Sequence, residues 1–356
     1  MSLTTDEQDR YSRHLLLPEL GAAGQLKLKN ARVLVIGAGG LGCPVLQYLT
    51  AAGVGTLGIC DGDTVATSNL QRQILFATSD VGQPKAAAAI ARLRDQNPLV
   101  SFREHTDFLT TENALGWIND YDVVVDGSDN FATRYLVNDA CVILGKPLVS
   151  GSIYQFDGQV SVFNLGDGPT YRCLYPDPSD LPPCAEAGVL GVLPGITGCL
   201  MANEVIKLVT GIGEVLSGRL LTVNALSLQF RTFGITTDGT NKHITQLPQG
   251  LPVCAGPVPE ITYLEYLALL RQYPDLPLID VRDPDEAARR TLGGRLIPLA
   301  HLLAQPTLIP AGQPVVIHCQ SGGRSRKAVD FLREQGFDQV MSLAGGIAAV
   351  PDQIIC

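Results

Sequence analysis

The stretch Ala31-Arg32-Val33-Leu34-Val35-Ile36-Gly37-Ala38-Gly39-Gly40-Leu41-Gly42 decides the fold. Residues 31–36 form a short apolar run, as expected of a parallel strand buried on both faces. The Gly-x-Gly-x-x-Gly turn at Gly37, Gly39 and Gly42 follows, and residues 41–52 read as a helix. Strand, glycine turn and helix together set backbone N–H groups and a positive dipole end beside a phosphate. Working outward, Thr56–Cys60 is the next strand and ends at Asp61. Residues 83–96 read as a helix, 122–126 as a strand, 130–144 as a helix and 147–150 as a strand. This alternation predicts an α/β domain whose mostly parallel sheet carries helices on both faces.

Prolines 169, 176, 178, 182 and 183 break the pattern over 167–183, which reads as an exposed loop. A helix over 192–209 and a strand over 219–224 complete a first domain, placed at 1–235. Residues 236–258 are polar, then rich in Pro and Gly, and are expected to be a linker. The second domain, 259–356, is a smaller α/β unit. Helices are expected at 261–273 and 325–335, and strands at 278–281, 314–318 and 340–343.

Composition narrows the function. With 46% hydrophobic and 17% charged residues the chain can bury full cores. Its net charge of −9, without an extended Lys/Arg run, argues against nucleic acid as a partner. Residues 1–10 are polar and acidic, so no secretory signal is expected. Residues 33–60 are uncharged, but seven glycines and Pro44 favour an α/β core over a membrane span. Nine cysteines without regular spacing fit a reducing cytosol, and a cytoplasmic location is expected.

The glycine turn alone equally suits a NAD-dependent oxidoreductase. Asp61, 19 residues beyond Gly42, stands where a carboxylate binds a ribose hydroxyl. Arg72 and Lys85 add cations, which a triphosphate needs more than the two phosphates of NAD do. Asp129, just after the 122–126 strand, is placed to hold Mg²⁺ at the carboxyl edge of the sheet. Each residue has a plainer reading: Lys85 as a surface charge, Arg72 paired with Asp63, Asp129 as a helix cap.

In order along the chain stand Arg10-Tyr-Ser-Arg-His14, the glycine turn, Asp61-Gly-Asp63, Ser68-Asn-Leu-Gln-Arg-Gln73, Gly82-Gln-Pro-Lys85, Asp129-Asn130 and Thr133-Arg134. Residues 5–231 thereby resemble the MoeB/ThiF family of ubiquitin-activating-type adenylyltransferases. The resemblance implies a Rossmann-like ATP-binding domain. Its cofactor contacts fall on Arg13, Gly37, Gly39, Gly40, Gly42, Asp61, Asp63, Ser68, Asn69, Leu70, Gln71, Arg72, Lys85, Asp129 and Asn130. Asp61 meets the ribose, Asn69, Arg72 and Lys85 the phosphates, and Asp129 the metal. Arg13 matches an arginine lent across a homodimer. The implied partner is a ubiquitin-like sulfur carrier (MoaD- or ThiS-like) ending in Gly-Gly, whose C-terminal carboxylate receives AMP.

Family members hold zinc with two Cys-x-x-Cys pairs. Here Thr170 replaces the first cysteine of Thr170-Tyr-Arg-Cys173, and the second pair, due near 241–249, is missing. Tetrahedral zinc wants four ligands, so no zinc site is expected. Cys184 aligns with the family's proposed acceptor cysteine and is open to both a reactive and an inert reading. Cys43, Cys60, Cys141 and Cys199 are expected to be packing residues.

Cys319-Gln-Ser-Gly-Gly-Arg-Ser325 joins a strand to a helix. Its amides and the helix dipole form an anion nest, and Arg324 supplies a cation, so a thiolate or persulfide is favoured. A cysteine phosphatase loop is one residue longer, which here favours sulfur over phosphate. With residues 278–282, Glu286 and Leu343-Ala-Gly-Gly346, the loop resembles a single-domain rhodanese. Residues 294–298 are a shortened form of a family stretch, and Val350 stands where the family has an aromatic residue. The expected reaction is adenylylation of the carrier with ATP and Mg²⁺. Sulfur then passes from a Cys319 persulfide, charged by thiosulfate or a cysteine desulfurase, with Cys184 or an external thiol as acceptor. The catalytic set is therefore Arg72, Lys85, Asp129, Cys184, Cys319 and Arg324. Two alternatives are a NAD-dependent oxidoreductase with a sensor domain and a non-catalytic sulfur-carrier scaffold.

Overall fold

A computed structural model describes residues 2–176, 188–247, 258–310 and 312–350. Cys184, the expected acceptor, lies outside the described residues. The chain divides into two compact units, Met1–Cys254 and Ala255–Cys356.

In the first unit β1 (Arg32–Ile36), β2 (Thr56–Cys60), β3 (Ser101–His105), β4 (Val123–Asp126) and β5 (Leu148–Tyr154) are parallel. The hairpin strands β6 (Asp157–Phe163), β7 (Arg219–Asn224) and β8 (Gln229–Gly234) extend the sheet antiparallel. The sheet order is β3-β2-β1-β4-β5-β6-β7-β8. Val33, Leu34 and Val35 are wholly buried because helices cover both faces of β1. Helices Gly42–Ala52, Lys85–Gln96 and Leu193–Thr210 contribute to one core, and Phe131–Leu144 to the other. Chain order reverses between β1 and β4, which opens a crevice at their carboxyl ends, the usual ligand site of such sheets.

The sequence reading missed β3, β6 and β8 and ended β5 too early. Residues 238–242, expected as linker, pack on the first unit around Cys173. That thiol sits among the Asp238 amide at 3.3 Å, the Thr170 amide at 3.4 Å and Asn241 Nδ2 at 3.8 Å. Burial opposes its ionisation, but these donors and the Thr170 hydroxyl outweigh it and bring Cys173 below the ordinary thiol value. Among the described residues no group of three or more His, Cys, Asp or Glu side chains could hold a metal. A hydrogen-bonded knot surrounds Cys173. Among the described residues no helix is long and apolar enough to cross a membrane.

In the second unit β9 (Glu260–Ile261), β10 (Leu278–Asp280), β11 (Arg295–Leu296), β12 (Val315–His318) and β13 (Val340–Leu343) form a parallel sheet of order β11-β10-β12-β13-β9. Helices Tyr263–Gln272 and Gly323–Glu334 are among those that cover it.

Two measurements test the Cys173 corner. Purified protein is expected to carry substoichiometric zinc and to keep its melting temperature in EDTA. Cys173→Ala should speed exchange of the Asp238 and Thr170 amides about tenfold, as loss of a shared acceptor implies.

Candidate nucleotide and sulfur sites

The nucleotide site grows from the end of β1. Gly37 has φ +88°, which favours glycine, and a Cβ on Gly42 would meet the Gly37 carbonyl oxygen at 1.8 Å. The turn can therefore fold back on itself only with glycine at both places. Asp61, ending β2, fixes it from the side. Its carboxylate accepts the Ala38 amide at 2.8 Å and the Asp63 amide at 2.9 Å. Burial raises the Asp61 pKa above the ordinary value, against the pull of Lys85 and those two amides.

Lys85 opens its helix and is buried rather than solvated. Its ammonium pairs with Asp63 at 2.9 Å and lies 4.0 Å from Asp61. The carboxylate that might have paired with Arg72 thus serves Lys85. Arg72 Nη1 instead donates to the Ser68 carbonyl at 3.1 Å. Asn130, not Asp129, caps the Phe131–Leu144 helix, accepting the Thr133 amide at 2.8 Å. Asp129 is left exposed at the cavity edge.

One cavity of about 410 Å³ is lined by Gly37, Gly39, Gly40, Asp61, Asp63, Gln71, Arg72, Lys85, Asp129 and Asn130. Gly42 lies behind the turn rather than on the cavity. Leu70 packs on the core, and Asn69 Oδ1 accepts the Ala66 amide at 3.1 Å. Ser68 contributes its carbonyl to Arg72, and exposed Arg13 is outside the lining. The cavity also has a wall that sequence reading missed: Ile36, Leu41, Cys60, Phe108 and Leu109. Gly62 lets the Phe108 ring approach, since a Cβ there would meet it at 2.8 Å. Arg134, quoted only as part of a motif, lines the same space and donates to the Ser128 carbonyl at 3.0 Å. An apolar end and a cationic end suit a nucleotide with its phosphates. Asp126 sits behind, wholly buried, accepting the Ser128 amide and hydroxyl at 3.0 and 2.6 Å.

The sulfur site follows β12. Gly322, at φ +98°, turns the chain into the helix Gly323–Glu334. Cys319 Sγ faces the Gly322 amide at 3.2 Å and the Ser325 hydroxyl at 3.6 Å. Burial opposes the thiolate, yet the amides of Ser325, Ser321 and Gly322 and the Ser325 hydroxyl outweigh it, so the thiol lies below its ordinary pKa. Gly346 braces the loop from behind: Ile347 N reaches the Cys319 carbonyl at 2.8 Å and Ala348 N the Gln320 carbonyl at 3.0 Å. A Cβ on Gly346 would meet the Cys319 carbonyl at 2.4 Å.

Arg324, expected to supply a cation, is held by Glu286 at 2.6 and 2.7 Å. That pair draws Glu286 down to about 2. The nest supplies the hydrogen bonds to the sulfur, and the Arg324 charge also acts on Cys319. Below the strand, Arg282 and Asp280 form a buried pair at 2.7 Å. Wholly buried His318 is pushed below its ordinary value by desolvation. Cys43 and Cys60 are buried and pushed up to about 12, and Cys141 also rises by burial. Cys199 is only partly buried, unlike the interior packing residue expected.

These features define a two-part chain: a nucleotide-binding sheet with cations at its switch point, and a cysteine-nest unit. Residues 11–243 match the ThiF family and residues 263–352 the rhodanese-like domain. The chain belongs to the ThiF family and carries a rhodanese-like domain. It is 45% identical to the probable adenylyltransferase/sulfurtransferase MoeZ of Mycobacterium tuberculosis, covering 99% of this chain and 95% of that protein. It is 56% identical to the sulfur carrier protein adenylyltransferase of Thermus thermophilus, covering 65% of this chain and 88% of that one. The adenylyltransferase and sulfurtransferase MOCS3 of Drosophila grimshawi is 42% identical, over 99% of this chain and 86% of its own. Among solved structures, E. coli MccB with ATP has a TM-score of 0.57 at 24% identity, over 65% of this chain and 73% of that one, and shares the fold.

The thiol order is testable by alkylation of the native protein at increasing pH, with modified cysteines mapped by mass. Cys319 is expected to react with a midpoint below the ordinary thiol value of about 8.5. Cys43 and Cys60 should stay unmodified throughout that range.

Proposed function

We propose that this chain activates the C-terminal glycine carboxylate of a ubiquitin-like sulfur carrier with ATP and then gives it sulfur from Cys319. The observation that carries the reading is one cavity in which the glycine turn, Asp61, Arg72 and Lys85 converge, on a chain that also holds a cysteine nest. The near full-length relatives are named for the same two activities.

A carboxylate is a poor electrophile because its leaving group would be oxide. The carrier carboxylate oxygen attacks the α-phosphorus of ATP, the α–β phosphoanhydride bond breaks, and pyrophosphate leaves. Asp61 holds the ribose, and Arg72 and Lys85 face the phosphates, where they stabilise charge developing in the transition state. Asp129, exposed at the cavity edge, fits a Mg²⁺ that takes most of its ligands from phosphate and water. That ion, when bound, neutralises phosphate charge. The terminal sulfur of the Cys319 persulfide then attacks the acyl carbon and AMP leaves, giving an acyl disulfide. A second thiolate, that of Cys184 or an external thiol, attacks Cys319 Sγ. The thiocarboxylate departs and the new disulfide is later reduced by a cellular thiol.

The donor that charges Cys319 is thiosulfate or a cysteine desulfurase persulfide. The active form is a homodimer in the cytoplasm, with Arg13 serving the partner's triphosphate. Arg13 supports this by being exposed and absent from the lining of its own cavity.

ATP–pyrophosphate exchange that depends on a Gly-Gly-ended carrier tests the first half. Lys85→Ala should lower it about 10²–10³-fold. Cys319→Ser should leave exchange intact and abolish thiocarboxylate formation. Exchange that ignores the carrier would sink the reading.

Mixing two inactive variants tests the dimer. Arg13→Ala with Lys85→Ala should recover about a quarter of wild-type exchange, since half of the dimers are mixed and each has one intact site. No recovery would place Arg13 outside the partner's site.

A further inference from the structure

The second unit holds a polar pair that the sulfur chemistry above leaves unused. Ser342 on β13 and Ser325 at the start of the helix are both 0% exposed, and their hydroxyl oxygens lie 2.9 Å apart. Ser325 also reaches the Gly322 carbonyl at 3.0 Å and Cys319 Sγ at 3.6 Å. Ser325 thus has three neighbours able to accept and one proton to give. Among the described residues, the Ser342 hydroxyl has Ser325 as its sole hydrogen-bond partner.

Counting protons settles the direction. If Ser325 donated to Ser342, the Ser342 proton would be buried without an acceptor, and the Ser325 proton would reach neither the Gly322 carbonyl nor the sulfur. Such an orphan is costly. If Ser342 donates to Ser325, every proton has a place and the Ser325 proton stays free for the Gly322 carbonyl or for sulfur. The shorter contact to Gly322 suits the neutral thiol. A sulfur anion makes the longer contact charge-assisted and draws the proton over.

We propose that Ser342 is a positioning residue for sulfur transfer: its hydroxyl donates to Ser325 and so commits the Ser325 proton to the Cys319 side of the nest. The proposal rests on Cys319 as the sulfur-bearing residue. The charged groups nearby are Arg324, paired with Glu286; Arg326, paired with Glu260 and reaching the Gly322 carbonyl at 3.4 Å; and the Asp280–Arg282 pair with His318 behind the strand. Among the described residues none of them hydrogen-bonds to Ser325 or Ser342. Ser342 lies outside the Cys319–Ser325 loop that sequence reading singles out, so only the fold brings it under the sulfur.

The test is the alkylation midpoint of Cys319 in the full chain, using iodoacetamide without any sulfur donor or carrier. It is independent of whether sulfur transfer occurs. Ser342→Ala should raise the midpoint by about 0.7 pH unit, the equivalent of one ordinary hydrogen bond. Ser325→Ala should raise it at least as far, and adding Ser342→Ala to that variant should change nothing more. Ser342→Cys, a weaker donor of similar size, should fall between wild type and Ser342→Ala, and serves if the alanine variant unfolds. An unmoved midpoint in Ser342→Ala, or a further shift on adding it to Ser325→Ala, would overturn the proposal. A moved midpoint without any sulfurtransferase activity would uphold the positioning role and count against the proposed reaction.

Discussion

The Asp61 carboxylate is the point on which the nucleotide site depends. It ends β2, yet accepts the amide of Ala38 from the turn after β1 and that of Asp63 from its own loop, and it faces the ammonium of Lys85 across 4.0 Å. Three chain segments are thereby registered by one side chain. Because the group is buried, each of these contacts acts in a lower dielectric than at the surface. Removing the carboxylate would strand two amides and unbalance a buried ammonium. The glycine turn, Asp61 and Lys85 therefore form one arrangement rather than separately placed parts.

The two units meet the same physical demand in different materials. Each must hold an anion at the carboxyl edge of a parallel sheet, and each uses amides where a strand turns into a helix. In the first unit Arg72 and Lys85 line one cavity with the turn, as suits a triphosphate. In the second the loop closes tightly on one sulfur atom, with an amide at 3.2 Å and Gly346 pressed behind it. Arg324 is paired with Glu286, so the hydrogen bonds to the sulfur come from the nest.

Sequence pattern revealed the parts whose signals are local. The strands β1 and β2 are buried over most of their length, and their apolar runs read almost to the residue. In the antiparallel half β7 was legible, but β8 was hidden because it is exposed along its length, so burial imposes no run or alternation on it. The cavity cations were legible by residue type, but their partners were not. Lys85 with Asp63, Arg324 with Glu286 and Ser342 with Ser325 are pairings over 22, 38 and 17 residues, which only the fold brings together. The apolar wall of Phe108 and Leu109 carries no motif at all. One faint signal existed, in that a strand-end loop beside Asp61 must face the crevice.

A chain of net charge −9 that must bind triphosphate needs its cations kept charged before the ligand arrives. The Lys85 side chain is 8% exposed and that of Asp63 39%. A buried ammonium needs an opposite charge beside it. Asp63 supplies that counter-charge, and since Asp63 is partly solvated, the pair is worth little enough to give way. An incoming phosphate offers more charge than one carboxylate and can take its place without leaving the ammonium unpaired at any stage. Arg324 and Glu286 repeat the device at the surface of the second unit, each about a third exposed. In both units a cation thus rests against a carboxylate that an anionic ligand must displace.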